Sequence, residues 1–110
     1  MLFCITANYT PAAITSLMAN PETSRAEAAR RLVEAAGGKL VSFYGTAAEG
    51  PGVLAIVDLP DAMDAPAIGG VVLSTGALQN YRLTRLITPE EAVGIRRKAA
   101  RLKPAYVAPS

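Results

Sequence analysis

Apolar residues fall into two alternating patterns along this chain. In short stretches they come every second position or run together, and between those stretches they recur every three or four residues. The clearest strand signal is a hairpin. One arm runs from Gly38 through Lys39-Leu40-Val41-Ser42-Phe43-Tyr44, and the other from Val53 through Val57 to Asp58. The turn between them, Ala47 to Gly52, holds Gly50-Pro51-Gly52, and the flanking residues are β-branched or aromatic. Leu2 to Tyr9 reads as a first strand, with Phe3, Ile5 and Ala7 on one face and Leu2, Cys4 and Thr6 on the other. Leu78 to Ile87 reads as the last strand, with Tyr81, Leu83 and Arg85 opposite Arg82, Thr84 and Leu86.

Helical spacing fills the gaps. Thr10-Pro11 supplies an N-cap and a first-turn proline for a helix carrying Ile14, Leu17 and Met18. Asn20-Pro21 interrupts it. Helix restarts with Ser24 and Glu27 at capping-box spacing and a stripe of Ala26, Ala29, Val33 and Ala36, with Leu32 beside it. Gly37-Gly38 ends that helix. Asp61 is the expected N-cap of a third helix, Ala62 to about Leu73, which Pro66 and Gly69-Gly70 threaten to kink or split. Thr88-Pro89-Glu90-Glu91 opens a final helix to about Arg101.

This order predicts an α+β fold: a ferredoxin-like βαββαβ unit with an extra C-terminal helix. Residues 1–101 form the expected single domain, and 102–110, with two prolines, a flexible tail. With the helices on one side, the other face of an isolated sheet should be polar. Here all four strands are apolar in both registers: Leu2 with Phe3, Leu40 with Val41, Val53 with Leu54, Leu83 with Leu86. An identical sheet is the simplest cover, so the pattern predicts a homodimer with sheets face to face, a dimeric α/β barrel.

Composition narrows the classes. The 110 residues suffice for one core, and 51% hydrophobic against 18% charged argues against disorder. Abundant alanine with 5% aromatic residues suggests tightly packed small-residue helices. A formal charge of +2 gives no strong field for nucleic acid or a membrane surface, and neither is an expected partner. One cysteine, no basic residue before the apolar start and no long apolar run point to a soluble cytoplasmic protein.

The absence of histidine removes the commonest general base, metal ligand and haem ligand. No metal-ligand spacing appears, and no cofactor, metal or catalytic set is expected. Cys4 reads as a small hydrophobe of the core. Gly50-Pro51-Gly52 leads into a strand and lacks the lysine and hydroxyl of a phosphate loop. The cluster Arg96, Arg97, Lys98, Arg101 and Lys103 complements a helix dipole, opposite Glu90 and Glu91. The candidate ligand-binding groups are the polar side chains at strand ends and within strands: Asn8, Tyr9, Tyr44, Tyr81, Arg82 and Arg85. Tyrosine donates a hydrogen bond and arginine holds a carboxylate or enolate oxygen, which suits a small aromatic or carboxylic ligand. The same residues also fit rim and edge-strand roles.

Six segments together resemble the GYD domain family, a group of small bacterial and archaeal proteins. They are Ala7-Asn8-Tyr9-Thr10, Arg25 to Arg30, Gly37-Gly38-Lys39-Leu40, Ser42-Phe43-Tyr44, Ile56 to Asp61 and Leu86 to Glu91. The resemblance spans about Leu2 to Ala99. It implies a layout like the dimeric α+β barrel superfamily, whose members include cofactor-free monooxygenases, lactone isomerases, haem-handling proteins and ligand-sensing domains. The family's Gly-Tyr-Asp run should fall near Gly50-Pro51-Gly52, where the tyrosine and aspartate are missing. Three functions remain open from the residues: a homodimer that binds a small molecule or partner protein, a cofactor-free enzyme using Tyr44, Asn8 and Arg82, and a structural subunit of a larger assembly. An enclosed pocket holding Tyr44 and an arginine would favour the enzyme. A filled core would favour the other two.

Overall fold

The computed structural model describes all 110 residues. Four strands, β1 (Leu2–Tyr9), β2 (Lys39–Thr46), β3 (Gly52–Asp58) and β4 (Leu78–Leu86), form one antiparallel sheet in the order β2-β3-β1-β4. Four helices accompany it: α1 (Pro11–Ala19), α2 (Arg25–Ala35), α3 (Asp64–Ser74) and α4 (Pro89–Leu102), the last continued by a 3-10 turn, Lys103–Ala105. The fold is thus a mixed α+β arrangement. No helix is long and apolar enough to cross a membrane.

Local chemistry sets most boundaries. Thr10, Ser24 and Thr88 each cap a helix by accepting a backbone N–H three residues on. Glu91 returns the bond to Thr88 N, completing a capping box. Gly37 adopts φ +80° past the end of α2, a conformation that costs other residues more. The third helix departs from expectation. It begins at Asp64, because Asp61 is spent on the turn before it, accepting from Met63 N at 2.9 Å. Pro66 then falls in the first turn of α3, where its missing N–H breaks no helical bond, and α3 runs unbroken through Gly69-Gly70.

Two bulges interrupt the ladders. Val41 is extra between Leu40 and Ser42 on β2, and Asn80-Tyr81 oppose Ala7 alone on β4. Asn80 sits at φ +53° in the second bulge.

The core lies on one face of the sheet. Phe3 and Ile5 of β1 and Ala55 and Val57 of β3 meet Val33 of α2, Ala65 and Ile68 of α3, and Leu59 just after β3. Only 12 of the 110 residues are buried, a thin core for this length. Two features account for it. The opposite face is uncovered: Leu2, Cys4, Leu54, Ile56 and Leu86 are half-buried there, and Tyr44 is 61% exposed. Cys4 therefore belongs to this open face, paired with Ile56 and Thr84, and not to the core. The second feature is α4. It buries no residue and packs chiefly on its own 3-10 extension, and the whole chain, α4 included, extends 59 × 35 × 22 Å.

Candidate binding cavity between the helices and the sheet

α2 packs along β2 and α3 along β4, the two outer strands of the sheet. The two helices do not pack closely on each other, and the central strands β3 and β1 floor the gap between them. That gap is a cavity of about 800 Å³. Ile5, Val53, Ala55 and Val57 form its floor, Ala28, Ala29, Leu32 and Val33 one wall, and Ile68, Val71 and Val72 the other. Ala12, Ala13 and Leu17 of α1 close one end. The expectation that abundant alanine means tight helix packing fails here. Small wall residues on helices held apart by the width of the sheet leave space.

Few polar groups reach this cavity: Tyr9, Ser16, Arg25, Arg31, Thr75 and Tyr81. Tyr81 is the most unusual. It projects from β4 toward the helices, where a Cβ on Gly69 would lie 3.1 Å from its hydroxyl, close enough that the ring would have to shift by a few tenths of an ångström. That hydroxyl is buried and has no hydrogen-bond partner. A buried phenol without a partner carries a desolvation cost that folded proteins seldom leave uncompensated. Burial also raises its pKa above the ordinary 10.0. Tyr9 is raised too, chiefly by burial, while the Arg25 guanidinium beside it pulls the other way. Both phenols are therefore protonated donors at neutral pH.

The six candidate residues separate. Tyr9 and Tyr81 come together around the cavity. Tyr44 and Arg82 pair with Leu54 and Thr6, on the open face of the sheet. Asn8 is a structural tie: its amide donates toward the carbonyls of Ala48 and Gly50 at 3.5 and 3.4 Å, and its oxygen accepts from Asn80 at 3.3 Å. Arg85 bridges the sheet to the start of α4, pairing with Glu91 at 3.0 Å and lying 5.8 Å over the Phe3 ring. That arginine, then Thr88, holds the Glu91 carboxyl below its usual value. Arg25 was not among the candidates. As the residue after an N-cap it reads as solvated helix surface, and only the close approach of α2's start to the end of β1 brings it to Tyr9. No group of three or more His, Cys, Asp or Glu is placed to hold a metal.

The phenol environment has a pH consequence. A tyrosine whose folded pKa lies above its unfolded 10.0 contributes stability that is fully present below pH 10. That contribution is lost as pH rises through the folded value. Tyr81→Phe should remove this loss together with the unpaired hydroxyl. The variant is expected to be about 1 kcal/mol more stable at pH 7 and to fall less steeply as the pH rises above 10. Urea midpoints at both pH values and beyond measure this, and parallel curves for the two proteins would refute the assignment.

A family model described as the GYD domain matches residues 3–95 of the 110-residue chain. No curated protein and no solved structure matches it.

Proposed function

The chain belongs to the GYD domain family, and from that footing we propose that it binds a small, largely apolar molecule between its helices and sheet. The observation that carries this reading is the cavity of about 800 Å³ between α2, α3 and the sheet. Its size lies in the range of ligand sites, and its lining has their make-up: apolar walls with a few polar groups to fix orientation. Binding suits the chemistry better than catalysis. Both phenols are held protonated, which makes them hydrogen-bond donors and poor bases, and arginine does not exchange its proton near neutral pH. Tyr44, Asn8 and Arg82, the groups an enzyme was expected to use, lie outside the cavity.

The functional unit in this reading is a ferredoxin-like homodimer with sheets face to face. The β2-β3-β1-β4 order and the uncovered apolar face support it. The cavity lies on the other side of the sheet, so such a dimer leaves both copies of it accessible.

The test is titration of the full chain with the neutral probe N-phenyl-1-naphthylamine, followed by fluorescence. Saturable binding of one probe per chain is expected. Ala29→Leu, which fills one wall, should weaken it about tenfold or more without lowering the melting temperature. No saturable binding, or binding that Ala29→Leu leaves intact, would remove the cavity as the site. Sedimentation equilibrium at micromolar concentration reads the dimer separately, and a monomer there would remove that part.

A further inference from the structure

The charged groups at the cavity are unbalanced. Its lining includes two arginines, Arg25 and Arg31, and no carboxylate. Their situations differ. Arg31 is held 3.7 Å from Glu27, whose carboxylate also takes Arg30 at 2.6 Å. Arg25 has no salt-bridge partner. It begins α2 beside the Tyr9 hydroxyl, at the end of the cavity that α1 closes. A guanidinium without a counter-ion at the edge of an apolar space attracts an anion more strongly than it would in open water, because the low-dielectric wall weakens screening.

We propose that the ligand is an amphipathic monocarboxylate. Its apolar body lies between α2 and α3, and its carboxylate rests on Arg25 with the Tyr9 hydroxyl as a second donor. One planar guanidinium presents a two-pronged donor that matches one carboxylate. A phosphate dianion would call for a second unpaired cation, and Arg31 is already engaged with Glu27. This assignment rests on the reading of the cavity as a ligand site and adds the class of ligand and the residue that selects it.

Decanoate and 1-decanol share an apolar chain and differ in charge. Each is used to displace N-phenyl-1-naphthylamine from the full-length protein at pH 7.5, at concentrations where neither aggregates. Decanoate is expected to bind about tenfold more tightly than decanol at low salt, with the gap narrowing at high salt. Arg25→Gln should abolish the gap and leave decanol affinity within about twofold, whereas Arg31→Gln should retain it. Equal binding of the two by the wild-type protein would overturn the carboxylate assignment while leaving the apolar cavity standing as a site. A preference that survives Arg25→Gln would overturn the role of Arg25. Failure of both compounds to displace the bound probe would overturn the assignment, and failure of the probe itself to bind would remove the underlying reading as well.

Discussion

Leu59→Ala is expected to lower the free energy of unfolding by about 3 to 4 kcal/mol, the upper part of the range for buried leucines. Leu59 follows β3 and is 1% exposed, within the cluster that joins both central strands to α2 and α3. Its backbone is fixed independently, since its N–H donates to the Met1 carbonyl at 2.8 Å. The surroundings therefore cannot collapse readily into the space left by the side chain. A domain of this size has about 5 to 15 kcal/mol in total, so the loss is a large share. It corresponds to a melting temperature lower by about 12 to 16 °C. Urea unfolding followed by tyrosine fluorescence, to which Tyr9, Tyr44 and Tyr81 of the sheet contribute, is the measurement, with Leu73→Ala as comparison. Leu73 is 44% exposed and should cost under about 1 kcal/mol. Similar losses for the two variants would mean that Leu59 is not a centre of the core.

Gly38→Ala is expected to cost about 3 kcal/mol, for the opposite reason. A Cβ at Gly38 would collide with the Asp58 carbonyl oxygen, and would lie 2.8 Å from Leu59 Cδ2 and 3.2 Å from Val33 Cγ1. A side chain can move aside, but the Asp58 carbonyl belongs to the strand paired with β2 and can move only with the sheet. The two substitutions should then couple. Removing Leu59 Cδ2 clears one of the three obstacles, so Gly38→Ala should cost less in the Leu59→Ala background than alone. Strict additivity in a double-mutant cycle would contradict this geometry.

Elements governed by neighbours in sequence were legible from sequence. Thr10-Pro11, Ser24 and Thr88-Pro89-Glu91 mark helix starts because a cap bonds only three residues away. The alternation of Phe3, Ile5 and Ala7 gave the buried face of β1 for the same reason. Asp61 misled because an aspartate that begins a turn and one that caps a helix look alike until the following residues choose. The bulges at Val41 and Asn80 depend on pairing between strands and left no local mark beyond an asparagine suited to positive φ. The cavity was the least legible feature. Its volume is set by how far apart α2 and α3 sit on the sheet, and alanines such as Ala28 and Ala29 would read identically in a closed interface. Tyr9 and Tyr81 could be singled out as polar groups in apolar strands. Arg25 could not, because its role comes from a turn in space between α1 and α2.

α4 bears on how the molecule melts. It owes its shape to its capping box and dipole-matched charges, and it shares no buried side chain with the sheet. A 14-residue helix tied to the sheet by one exposed ion pair, Arg85–Glu91, is marginal in water. In the separate chain it forms its own cooperative unit, and the losses caused by Leu59→Ala and Gly38→Ala stop at its boundary. Far-ultraviolet ellipticity then sums two transitions, and a single fitted midpoint describes neither. The amide exchange rates of Val93 to Arg101 give the free energy of that small unit alone.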